Sequence, residues 1–86
     1  MPIDYSKLRT LTARKLIRAL IKDGFYLRRQ DGSHQQYQHS DGRRVTVSFH
    51  RPSDTFKPKT LKSMIERQAR WTEADLIRIE LMKEKG

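Results

Sequence analysis

The chain has 86 residues, of which 35% are hydrophobic and 34% charged, with 19 Lys+Arg against 10 Asp+Glu for a formal charge of +9. That length allows one small domain, the absence of cysteine removes disulfides, thiolate metal sites and a Cys nucleophile, and no apolar run approaches the roughly 20 residues of a membrane span. No signal-like apolar segment opens the chain, so a cytoplasmic protein without membrane contact is expected.

The charge is uneven: residues 1–50 carry +6, residues 51–71 carry +4 and residues 72–86 carry −1. This excess is above the magnitude of about 2–8 that solubility asks of a small domain. It favours a polyanionic partner, with nucleic acid first and a merely solvated basic surface as the plain alternative.

Residues 1–11 read as a lead-in. Thr12 then suits the N-cap of a helix in which Ala13, Leu16, Ile17, Leu20 and Ile21 recur at helical spacing. Asp23-Gly24 ends it, with Phe25 placed for a Schellman contact. From Phe25 the period switches to two, giving strands near Phe25–Gln30, Ser33–His39 and Arg43–His50, joined at Gln30-Asp31-Gly32 and Ser40-Asp41-Gly42. Three-residue loops at both joints pair Tyr37 with Val45 and with Phe25. Phe25, Leu27, Tyr37, Val45, Val47 and Phe49 then share one face, and Tyr26, Arg28, His34, Arg44, Ser48 and His50 the other.

Pro52 and Pro58 mark a loop over Arg51–Lys59. Thr60 is placed to cap a second helix with Leu61, Met64, Ile65 and Gln68 on its inner side, closed by Trp71. Thr72-Glu73-Ala74-Asp75 reads as a capping box opening a last helix over 72–84. The expectation is one α+β domain over 1–86 with a core near 12–70. It has α-β-β-β-α order, a three-stranded antiparallel sheet and a C-terminal helix, the architecture of double-stranded RNA-binding domains.

On the open face, this register sets Arg28 opposite His34 and makes His50 its diagonal neighbour. A pair of imidazoles, His34 and His50, with Arg28 nearby is a workable catalytic set for cleaving RNA without metal. One group takes the 2′-OH proton, the guanidinium stabilises the phosphate, and a second acid protonates the leaving 5′-oxygen. The plain alternative for His34 is an ordinary exposed histidine. His39 points to the packed side and reads as structural. No cofactor motif appears, and no metal site is expected, because the three histidines fall on different faces and Asp31 and Asp41 serve turns. Candidate phosphate contacts are Arg14, Lys15, Arg18 and Lys22 on the first helix, Arg29, Arg43 and Arg44 on the strands, and Lys57, Lys59 and Lys62 beyond. Tyr26 is placed to stack a base.

Gly24-Phe25, Arg29 through His34, Tyr37, Asp41 through Val47, and His50 together resemble the HicA family of toxins, from about Lys15 to Ile65. The resemblance implies a double-stranded RNA-binding-like fold and a metal-independent ribonuclease that cleaves mRNA and arrests growth. It matches the family's single catalytic histidine to His34. It also implies neutralisation by a HicB-like antitoxin within a hetero-oligomer. Four positions depart from the family's usual pattern: Ser48 stands for Pro, Lys59 for Gly, and Arg70-Trp71 lie near a usual Gly-Leu. A non-catalytic RNA-binding module is the rival reading, and a DNA-binding regulator a third that the central strands disfavour.

Overall fold

The structure, a computed structural model, describes residues 3–82. Helix α1 (Ala13–Lys22) forms where the apolar stripe is densest, and buries Ala13, Leu16, Ala19 and Leu20. Each such burial is worth about 1.5–3 kcal/mol for the leucines. Thr12 Oγ1 accepts the Lys15 N–H at 3.3 Å and starts the helix. Its end is a Schellman motif: the Phe25 N–H reaches the Leu20 carbonyl at 2.9 Å and the Gly24 N–H that of Ile21 at 3.0 Å. Gly24 has φ 102°, and a Cβ there would stand 2.9 Å from His39 Nε2. Both backbone and space therefore require glycine.

Strands β1 (Tyr26–Asp31), β2 (His34–Gln38) and β3 (Arg44–Ser48) form one antiparallel sheet in chain order. Between β2 and β3 the expected register holds: Tyr37 faces Val45, and the loop Ser40-Asp41-Gly42 closes with Gly42 at φ 98°. Phe25, Tyr37, Val45 and Val47 are buried beneath the helices, whereas the other face of the sheet is uncovered.

The first hairpin departs from expectation. Its turn is the two residues Gly32-Ser33, with Gly32 at φ 56°, the pattern of a II′ turn. Asp31 therefore faces His34, Gln30 faces Gln35 and Arg29 faces Gln36; past an irregularity between Leu27 and Arg29, Tyr37 faces Leu27 and not the expected Phe25. Reading the loop as three residues missed this β-bulge. One extra residue on β1 exchanges faces for everything between it and the turn.

Helix α2 (Pro58–Lys62) starts with Pro58 in its first turn and Lys57 as N-cap, not at Thr60. Proline's missing N–H costs nothing there and its fixed φ favours the helix. The helix continues as a π-helical stretch over Ser63–Gln68, in which the Ala69 N–H reaches the Met64 carbonyl at 2.8 Å. From this stretch Gln68 Oε1 accepts the Thr46 N–H at 2.8 Å, satisfying a group on the β3 edge.

Helix α3 (Glu73–Arg78) has the expected reciprocal capping box between Thr72 and Asp75. It is shorter than expected: Glu80 adopts φ 65°, and the Leu81 N–H turns back to the Leu76 carbonyl at 2.8 Å. Positions 83–84 of the expected helix lie outside the described residues. Leu76 and Ile79 join the core, as do Leu8 and Leu11 from the supposed lead-in. No helix among the described residues is long and apolar enough to cross a membrane.

Candidate active site

The uncovered face of the sheet is ruled in rows. Asp31, His34 and Ser48 form the row nearest the first turn; Arg29, Gln36 and Thr46 form the next; Tyr26, Gln38 and Arg44 form the third. All of these except half-buried Gln38 are exposed. The His34 ring makes no hydrogen bond or ion pair with another described residue. Arg29 Nε lies 3.1 Å from Asp31 Oδ2, and both side chains are about two thirds exposed. His34 therefore has a carboxylate directly across and an arginine on the diagonal.

Two expected neighbours of His34 are elsewhere. Arg28 does not face it; the bulge leaves Arg28 exposed and without a cross-strand partner, and Arg29 takes the open-face position. His50 lies past the end of β3, where its backbone N–H and that of Arg51 both bond Asp54 Oδ2, at 2.9 and 3.1 Å. Those N–H groups hold the Asp54 carboxyl below the usual carboxylate range. The His50 side borders a depression with Gln35, which shares the buried face of Tyr37, and His34 does not line it.

His39 is structural, as its parity suggested. Its Nδ1 accepts the Asp41 N–H at 3.1 Å, so Nε2 is the nitrogen that donates to the Asp23 carbonyl at 2.7 Å. Its ring stands edge-on to Phe25 with centroids 5.0 Å apart. Arg43, expected as a phosphate contact, is turned inward instead. Its guanidinium meets Asp41 at 2.7 Å, the Ala69 carbonyl at 2.7 Å and Asp23 at 3.2 Å, over the Phe25 ring. Each of the three guanidinium nitrogens of Arg43 is engaged within the fold, and its side chain is only 17% exposed, which argues against a phosphate contact.

Asp23 is the centre of that cluster, with a side chain only 6% exposed. Burial alone would push its carboxyl up. The Trp71 indole N–H at 2.9 Å, Arg78 at 2.6 Å and Arg43 outweigh that and hold it below its ordinary value.

The remaining candidate cations are exposed: Arg14, Lys15, Arg18 and Lys22 on α1, Arg44 on β3, and Lys57, Lys59 and Lys62 about α2. Lys22 is engaged by Glu80 at 2.9 Å. Tyr26 is exposed on the third row. Among the described residues no three His, Asp or Glu side chains converge as a metal site would need.

Fold and face together define a small basic α+β domain with an unengaged imidazole, flanked by an arginine–carboxylate pair, on an open sheet. The family model described as HicA toxin of bacterial toxin–antitoxin matches residues 13–71. The chain belongs to that family, and a toxin role within a toxin–antitoxin system follows. No curated protein matches it.

Proposed function

We propose that this protein is a metal-independent endoribonuclease that cleaves mRNA in the cytoplasm, with His34 as the catalytic acid/base. The observation that carries this reading is the His34 ring itself, exposed and without a partner among the described residues, on a face where every neighbouring side chain is polar. A histidine kept for stability acquires partners, as His39 does.

In the proposed reaction His34 takes the 2′-OH proton of a strand lying across the open face. The 2′-oxygen attacks phosphorus as the bond to the 5′-oxygen breaks, and that oxygen takes a proton from water, leaving a 2′,3′-cyclic phosphate, a 5′-OH and an imidazolium that returns its proton to solvent. Asp31, directly opposite, places a carboxylate across the strand pair from His34. Arg29, on the diagonal, replaces Arg28 as the group that stabilises charge on the phosphate. The exposed cations of α1 and α2, with Arg44, supply sequence-independent attraction to the RNA backbone. A HicB-like antitoxin that covers this face, within a hetero-oligomer, completes the reading.

Purified protein incubated with RNA in EDTA should generate new 5′-OH ends. A gel shift of RNA without cutting would instead mark a binding module and end the enzymatic reading.

A further inference from the structure

Beyond the open face of the sheet, the first hairpin carries a feature that the proposed reaction does not use. Gln30 and Gln35 stand opposite each other on the side of the sheet that faces the helices. The helices do not extend over this end: Leu27, on the same side, is 47% exposed. What remains is a depression of about 310 Å³ lined by Gln30, Gly32, Ser33, Gln35, Phe49 and His50. No acidic side chain lines it.

We propose that this depression receives one unpaired nucleobase of the RNA strand. The proposal rests on the ribonuclease reading for the identity of the polymer, and on the lining residues for the base. Tyr37 donates its hydroxyl hydrogen to Gln35 Oε1 at 2.7 Å, which turns the Gln35 amide N–H groups outward as donors. Gln30 directs its Nε2 to the Gly32 carbonyl at 3.4 Å, leaving its Oε1 as acceptor. A donor beside an acceptor complements the adjacent ring and exocyclic groups that every nucleobase presents on its Watson–Crick edge, in one orientation or its flip. Half-buried Phe49 offers a ring for stacking, the usual way an unstacked RNA base is held.

The path to His34 is short. The turn between pocket and open face is only Gly32-Ser33, and nothing lies within 4 Å of where a Gly32 Cβ would stand. The sugar–phosphate of the bound nucleotide can therefore cross the turn, with the base on one side of the sheet and the scissile phosphate on the other. A side chain at position 32 would obstruct that crossing as well as resist φ 56°.

The test uses ¹⁵N-labelled His34→Ala protein, whose exposed substitution keeps the fold, titrated with AMP, CMP, GMP and UMP. All four should shift the backbone amides of Gly32, Ser33 and His50 and the side-chain amides of Gln30 and Gln35, and ribose 5-phosphate, which lacks the base, should not. Adding Gln30→Ala should weaken that binding about fivefold or more, the loss of one hydrogen bond. Shifts confined to Lys15, Arg18 and Lys22, equal responses to ribose 5-phosphate, or no effect of Gln30→Ala would each overturn the proposal. Because the titration does not depend on catalysis, absence of RNA cleavage by the wild-type protein would remove the enzymatic reading while leaving this result to stand.

Discussion

The two ends of β2 carry the same residue type in opposite circumstances. At the far end His39 is wedged between Asp23, Asp41 and Phe25, with both ring nitrogens engaged. At the near end the His34 ring engages no other described residue. The arginines divide in the same way. Arg43 is fully occupied by Asp41, Ala69 and Asp23, while Arg29 and Arg44 lie on the open face. Composition marked both ends as basic and histidine-bearing; partner accounting separates the end that holds the fold together from the end free to act on a ligand.

The strongest way to break that division is to truncate both histidines. His34→Ala should lower RNA cleavage about 10²–10⁴-fold, the span of a general acid–base group, with stability changed by less than about 0.5 kcal/mol. His39→Ala should do the reverse, lowering the thermal midpoint, because it leaves the Asp23 carbonyl and Asp41 N–H without their partner. Cleavage rates and melting curves on both variants check the pair. Equal loss of activity from each would erase the distinction.

Asp23→Ala comes next in size. Removing one partner from a buried charge cluster strands the others, at about 3–5 kcal/mol, so chemical denaturation should show a much lower midpoint. The same carboxyl makes a pH prediction. Its folded value is depressed below the ordinary 3.8, so the native state holds fewer protons than the unfolded one. Its stabilisation is complete above about pH 4 and is lost as pH falls through the folded value. Asp23→Asn should flatten that part of the acid-unfolding curve; an unchanged curve would show that other carboxylates govern it.

Much of this arrangement was legible beforehand. Thr12, Gly24 and Phe25 announced both ends of α1, and Asp41-Gly42 set the β2–β3 register, because in each case the information is local. What was hidden is non-local. A bulge has no residue signature here, so the exchange of Arg28 for Arg29 beside His34 could not be read from alternation. Arg43 sat on a strand edge with nothing in sequence to say that Asp23, twenty positions earlier, would claim it. The inward parity of Gln35 was visible through its alternation with Tyr37, and it was the one available signal for the pocket behind the turn.

The exchange at the bulge yields a smaller, sharper test. Arg29→Ala should slow cleavage by about fivefold or less, since Arg29 lies on the diagonal from His34 and an exposed charge pair carries roughly 1 kcal/mol or less. Arg28→Ala should slow it less. Kinetics on a single short RNA decide the order, and the reverse order would return Arg28 to the role that a plain alternating strand assigns it.

The smallest effect concerns the fastened end. Arg70 holds φ 56° at the close of the second helix, between Ala69, whose carbonyl accepts from Arg43, and Trp71, whose indole N–H reaches Asp23. The family pattern usually has glycine near this position. A non-glycine residue in the left-handed region costs about 1–2 kcal/mol, partly offset by the greater unfolded-state entropy of glycine. Arg70→Gly should therefore stabilise by about 0.5–1 kcal/mol, several degrees in a domain of this size, with cleavage unaltered. Glu80 at φ 65° is the internal control: Glu80→Gly relieves the same strain but forfeits the ion pair to Lys22, so its gain should be smaller. If Arg70→Gly destabilises instead, the arginine side chain contributes more to the Asp23 cluster than its backbone costs it, and the boundary between the fastened and the free end lies further out than Arg43.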